Sequence, residues 1–124
     1  ELYSLPLRPG RGLQVARKLG RFAGVPGPSR DELRHDAREA RIHHQVTAAD
    51  LSPDGRTLAV LTYRDVLFWR RLGNEDWARA VTRPPVAHAL PWLPQAEALA
   101  WAPQAPVLYA TGELSPALLL QLNP

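Results

Sequence analysis

Proline and glycine decide where this chain can be helical. Thirteen prolines and eight glycines are scattered through its 124 residues. Proline, at about twice its usual 5% share, removes a backbone donor and clashes with the preceding turn of a helix. The two longest windows free of both residues are 29–52 and 56–72. The second reads Arg56-Thr-Leu-Ala-Val-Leu-Thr-Tyr63, then Arg64-Asp65, then Val66-Leu-Phe-Trp69. Two β-branched and aromatic runs around a polar break predict a hairpin. Both runs are apolar on both faces, the pattern of strands sandwiched between packed layers rather than of an edge. An all-β fold is expected, in preference to a helical bundle, for which few windows remain.

Upstream, Val46-Thr-Ala-Ala-Asp-Leu51 is a short apolar run that ends in Ser52-Pro53-Asp54-Gly55. Proline pre-sets φ and glycine accepts a positive φ, so this is a tight turn between strands. After Gly73-Asn74-Glu75-Asp76, the run Trp77–Thr82 is predicted as a fourth strand closed by Pro84-Pro85. Four antiparallel strands in a meander make one sheet. The pattern then starts again. Ala96–Ala105 lies on Val46–Gly55 at an offset of fifty without a gap, Val107–Thr111 follows on Thr57–Leu61, and Leu118–Leu122 supplies a third strand. Leu2–Leu5 and Leu13–Leu19 read as the closing two strands of a preceding unit. Four-strand units repeating every 40 to 50 residues or so are the signature of propeller blades.

Val46-Thr-Ala-Ala-Asp-Leu-Ser-Pro-Asp-Gly-Arg-Thr-Leu-Ala-Val60, followed by Asp65-Val-Leu-Phe-Trp69, resembles a blade of the WD-repeat and related bacterial SPDG β-propellers. No Gly-His pair precedes it, Arg70 stands where the signature aspartate would follow tryptophan, and the second copy has Pro103-Gln104-Ala105 for Pro-Asp-Gly. These departures direct the resemblance to the looser bacterial propellers. It implies β-propeller blades built as four-stranded antiparallel meanders, roughly two of them or a fragment of a larger ring. Residues 1–22 would be the last strands of a preceding blade, 23–45 an inter-blade insertion, and 46–83 a complete blade. Residues 84–95 would be an inter-blade loop and 96–124 the first three strands of the next blade. Closed propellers have at least four blades, and each blade buries its faces against neighbours. The expected partners are therefore the remaining blades, from the same product or another chain, with self-assembly into a ring as the alternative. The chain begins at Glu1 within an apolar stretch and has no methionine, which fits a piece of a longer product. The resemblance also implies a periplasmic or secreted location, a binding scaffold for a protein or small-molecule ligand, and little chemistry, because such folds do many jobs.

Charge and composition narrow the function classes. Hydrophobic residues make up 45% of the chain and charged residues 22%, a globular composition, and no apolar run approaches the roughly 20 residues of a spanning helix. Residues 1–29 carry a balance of +4 and residues 30–44 are neutral, while the aromatic-rich part from residue 45 onward carries six arginines against seven acids, for a net charge of +3. A nucleic-acid binder would show a dense basic stripe with interleaved aromatics, so nucleic acid is not an expected partner. There is no cysteine, which excludes disulfides, thiolate metal sites and a cysteine nucleophile.

Few residues suggest chemistry. Ser29 followed by Glu32 is a capping box that predicts a short helix through Arg41. On it His35, Glu39 and His43 would share one face at i, i+4, i+8 spacing, a weak candidate for a divalent metal against the alternative of a solvated charged helix. The loop-rich face of the blades would gather the 23–45 insertion, Tyr63-Arg64-Asp65, His88–Gln95 and Glu113, and binding residues concentrate on loops held by a rigid scaffold. Arg64, Asp65, Trp92 and Glu113 are the candidate ligand-binding residues, with Trp92, set between Pro91 and Pro94, as an aromatic platform or else a ring tucked between blades. Trp69, Trp101 and Tyr109 sit inside strand patterns and are assigned to the core. Ser4, Ser29, Ser52 and Ser115 occupy no glycine-flanked elbow, and Pro9-Gly-Arg-Gly12 lacks the lysine and helix of a phosphate loop. No catalytic residue and no cofactor are assigned. The rival reading is a metal-assisted phosphoester or ester hydrolase, with Asp50, Glu97, His43 and His44 converging on a central channel. A third is a two-blade lectin-like module with Trp92 stacked on sugar.

Overall fold

The computed structural model describes residues 1–6, 10 and 12–124. Pro9 and Arg11 of the Pro9-Gly-Arg-Gly12 run therefore lie outside the described residues. Among the described residues nine strands form three antiparallel sheets. Strands β1 (Leu2–Ser4) and β2 (Arg17–Gly20) make the first, and α1 (Arg30–His35) and α2 (Ala37–His43) follow. The middle sheet runs in sequence order: β3 (Val46–Leu51), β4 (Thr57–Thr62), β5 (Asp65–Arg70) and, after the short helix α3 (Trp77–Ala80), β6 (Val86–Ala89). The last sheet is β7 (Ala96–Trp101), β8 (Leu108–Gly112) and β9 (Leu119–Leu122). Among the described residues no helix is long and apolar enough to cross a membrane.

The turn after β3 is closed by its own side chains. Ser52 Oγ donates to Asp54 Oδ1 at 2.6 Å, the same oxygen accepts from Arg56 N, and Ser52 Oγ accepts from Thr57 N at 2.8 Å. The Ser52 hydroxyl, and after it the Arg56 amide, hold the Asp54 carboxyl below its ordinary range. Gly55 takes φ +68°, the left-handed conformation that a side chain would strain. The second copy keeps the closure without the side chains. Ala102 N donates to Val107 O at 2.8 Å, as Ser52 N does to Thr57 O at 2.8 Å fifty residues earlier.

The same offset runs through the ladders. Val46 pairs with Thr62 and Leu51 with Leu58, while Ala96 pairs with Gly112 and Trp101 with Leu108. A bulge falls at the same place in each, between Val46 and Ala48 and between Ala96 and Ala98. The pairing of the third strand shifts to an offset of fifty-three, Leu61↔Val66 against Thr111↔Leu119, because the loop after β8 is longer. Strands β3 and β7 lie side by side. Thr47 Oγ1 donates to Ala96 O at 2.6 Å, and Trp101 N donates to Asp50 Oδ2 at 2.8 Å, so side chains of one first strand hold the backbone of the other.

Strand alternation puts the core on both faces of the middle sheet. Ala59, Leu61, Val66 and Phe68 pack on Leu93, Ala96, Leu108 and Ala110 of the following segment. Val60, Leu67 and Trp69 face the other way, onto Val81 with Leu2, Phe22 and Val25 from the beginning of the chain. Trp69 donates Nε1–H to Arg83 O at 2.9 Å and meets Phe22 edge-on at 4.9 Å. The two-faced apolar runs of β4 and β5 thus do what their composition predicts. Trp101 is partly buried, edge-on to Phe68 at 6.2 Å. Tyr109 differs from expectation: Leu108 and Ala110 on either side point into the core, and the tyrosine is only partly buried.

Two elements correct the sequence reading. Trp77–Thr82 is not a strand. Asp76 caps α3 by accepting from Arg79 N at 2.8 Å, Ala80 N and Val81 N bond back to Asp76 O and Trp77 O, and Ala80 and Val81 are buried. The fourth strand is β6, so residues 84–95 contain a strand rather than a loop alone. The helix predicted through Arg41 is also two helices. Asp36 breaks it at φ −151°, ψ 100°, and its Oδ1 accepts from Arg38 N and Glu39 N at 2.9 Å as the N-cap of α2.

Candidate functional site

One end of the two larger sheets carries α1, α2, the β4–β5 turn and the β6–β7 loop, and these enclose a cleft of about 990 Å³. Backbone bonds fix its walls. Leu90 N donates to Arg64 O at 2.8 Å, joining the loop to the turn, and Glu113 N donates to Gln95 O at 3.1 Å, joining it to the end of β8. Leu93 is buried in the core, and its neighbour Trp92 is 79% exposed. One residue anchors the loop while the next offers its ring to solvent. Gly112 admits this loop because a Cβ there would stand 2.1 Å from Pro94 O.

Glu32 is the electrostatic centre of the wall. As the third residue of α1 it completes the capping box: Ser29 N donates to Oε2 at 2.8 Å and Glu32 N donates to Ser29 Oγ at 3.2 Å. Its other oxygen accepts from Arg64 Nη1, and His44 Nε2 lies 3.9 Å from Oε2. The capping bonds from Ser29, and after them Arg64, lower the Glu32 carboxyl to about 2. The buried His44 Nε2 makes no hydrogen bond. Arg64 therefore ties the insertion to the middle sheet and still leaves half of its side chain exposed in the cleft.

Five of the residues singled out from sequence line this cleft: His35, Glu39, His43, Arg64 and Trp92. The first three are not grouped as one ligand set. The break at Asp36 puts His35 on α1 and the other two on α2, where His43 Nε2 pairs with Glu39 Oε1 at 3.1 Å. Among the described residues no three histidine, aspartate or glutamate side chains are grouped to hold a metal ion. Asp65 opens β5, its backbone N–H donating to Thr62 Oγ1 at 2.8 Å, and does not line the cleft. Glu113 does not line the cleft; sharing a proton with the Glu97 carboxyl, and after that its charge, raises the Glu113 carboxyl above its ordinary range. Glu97 also accepts from Tyr63 OH and raises that phenol.

Of the four groups assigned to a hydrolase centre, Asp50 accepts from the backbone of Leu51 and Trp101, Glu97 accepts from Tyr63, His43 pairs with Glu39, and His44 Nε2 makes no hydrogen bond; among the described residues no three of them are grouped to hold a metal ion. Sequence reasoning put Tyr63 and the 23–45 insertion that holds Glu32 on the loop-rich face, but named neither residue as a ligand-binding candidate. The capping box was legible, but the contact to Arg64 thirty-two residues away has no local signature. An exposed indole, a half-exposed guanidinium and a phenol on a partly apolar floor can stack on a planar group or sugar ring and orient it with hydrogen bonds. Comparison of the chain with known protein families, curated proteins and solved structures finds no match.

Proposed function

We propose that the chain is part of a bacterial-type β-propeller that serves as a binding scaffold and holds its ligand in the cleft beneath Trp92 and beside Arg64. The observation that carries this reading is the convergence of Tyr63, Arg64 and Trp92, from two separate loops, on one cleft walled by the helical insertion. The propeller assignment is supported by two neighbouring sheets that share register and bulge at an offset of fifty, as blades repeat around an axis. In this reading the remaining blades come from the same product or another chain, and the whole is periplasmic or secreted, as in the bacterial propellers that the Val46–Trp69 stretch resembles. Ligand-observed NMR screening of a mixed library of monosaccharides and small aromatic acids tests the binding role. Binders should shift the Trp92 indole resonance and lose affinity about tenfold or more in Trp92→Ala, the scale of a lost stacking contact. Binders that leave that resonance unmoved, or an empty screen, would overturn the reading.

A further inference from the structure

The helical insertion is neutral in sequence but sorted by charge in space. It carries Asp31, Glu32, Asp36 and Glu39 against Arg30, Arg34, Arg38 and Arg41. All four carboxylates line the cleft, and none of those four arginines does. Among the described residues Arg64 is the one lysine or arginine in the lining, and Glu32 already accepts from it. The amides of Glu39 and Arg38 hold the Asp36 carboxyl below its ordinary range, and the Ser29 cap helps to hold Glu32 at about 2. Asp31 and Glu39 have weaker ties. Asp31 meets Arg34 at 3.5 Å with both side chains largely exposed, and Glu39 meets His43 at 3.1 Å, contacts worth little in water. The same cleft is lined by the exposed Trp92 ring and by Tyr63 and Gln95, whose polar ends can hydrogen-bond hydroxyl groups. The lining runs from Asp31 to Gln95, well inside the chain.

Resting on the binding role of this cleft, we propose that its ligand is a protonated amino sugar, with the ring stacked on Trp92 and the ammonium drawn to the carboxylate wall of α1 and α2. Charge selects the ammonium, because a wall of four carboxylates against one guanidinium attracts a cation and repels an acidic sugar. The aromatic face of Trp92 adds to that attraction. Hydroxyls select the sugar. Carboxylates accept hydrogen bonds from ring hydroxyls as well as from N–H, whereas a methylated ammonium stacks on tryptophan but has no N–H to donate.

The probes are the methyl glycosides of glucosamine, N-acetylglucosamine, glucose and glucuronic acid, together with choline. Each is titrated into the isotope-labelled full chain at a pH where the sugar amine is charged, and read at the Trp92 indole resonance. The glucosamine glycoside should bind about tenfold or more tighter than the N-acetyl and glucose glycosides, which keep the ring and lose the charge, and the glucuronic acid glycoside should bind weakest. The preference should shrink from about 0.01 M to about 1 M salt as the charges are screened. Asp31→Asn combined with Glu39→Gln should remove the preference and leave binding of the glucose glycoside as it was, which separates loss of charge from a folding defect. Equal binding of the uncharged or acidic glycosides, tighter binding of choline, a response to aromatic acids alone, or a preference that survives the double substitution would each overturn the proposal while leaving Trp92 as the reporter of a bound ligand. A Trp92 resonance that answers to none of these probes and to nothing in the wider library would overturn the binding role itself, and the proposal with it.

Discussion

Gly112 sets how closely the loop bearing Trp92 approaches the last sheet. A Cβ there would meet Pro94 O at 2.1 Å and Gln95 O at 3.0 Å, and both are backbone atoms that cannot swing aside. Gly112→Ala is therefore expected to cost about 1–3 kcal/mol, the range for overpacking, and to loosen the cleft wall. Denaturant unfolding and acrylamide quenching of Trp92 check this; an unchanged midpoint together with unchanged quenching would contradict the contact. Core residues are expected to sort by burial. Leu61 is fully buried against the last sheet, so Leu61→Ala should cost about 2–5 kcal/mol. Leu51, exposed at the end of β3, should tolerate alanine to within about 0.5 kcal/mol. At this scale the sequence was readable where a strand is covered on both faces, as at Trp69. It misled at Tyr109, because a residue inside an apolar run has two faces to choose from, and only the neighbouring layer decides which is the inner one.

Local chemistry decides the elements. Ser52-Pro53-Asp54-Gly55 announces its turn because every bond that closes it lies within six residues. The fourth strand was missed for the opposite reason. Val86–Ala89 is exposed at all four residues and follows two prolines, so it has no apolar pattern, whereas Trp77–Thr82 has strand-like composition but starts behind an Asp76 cap. The break at Asp36 was likewise present as a second cap signal inside the window already opened by Ser29. Ser29→Ala is expected to destabilise α1 by about 1 kcal/mol, seen as faster amide exchange confined to that helix. The two helices and the sheet ends also respond to pH in opposite senses. Glu32 is depressed from 4.5 to about 2, so its contribution is complete above the ordinary carboxylate value and lost as pH falls toward about 2. Glu113 is raised by Glu97, so its contribution holds below the ordinary value and is lost as pH climbs through the raised one. Stability measured from pH 7 downward should show the Glu32→Gln variant converging on the parent below about pH 4. Glu113→Gln should remove the loss on the alkaline side of that titration. Parallel curves for either variant would contradict the assignment.

At the scale of the whole molecule, the fold is a repeat read in register. The offset of fifty was visible in sequence because Leu51-Ser52-Pro53 and Trp101-Ala102-Pro103 fall at matching places. That the sheets stack through their first strands was not, since the linking groups, Thr47 and Asp50, have no counterpart in the second copy, where Glu97 and Ala100 stand. The cleft forms where the sheets meet, as its lining comes from the insertion, the β4–β5 turn and the β6–β7 loop that joins the two sheets. Solution NMR of the isotope-labelled chain tests most directly whether β3 and β7 lie side by side as equivalent first strands. The account predicts cross-strand contacts Ala48–Leu61 and Ala98–Thr111 in matching registers, together with contacts from Thr47 to Ala96 and from Asp50 to the Trp101 amide. Matching registers without any β3–β7 contact, or a β7–β8 register displaced from that of β3–β4, would contradict it.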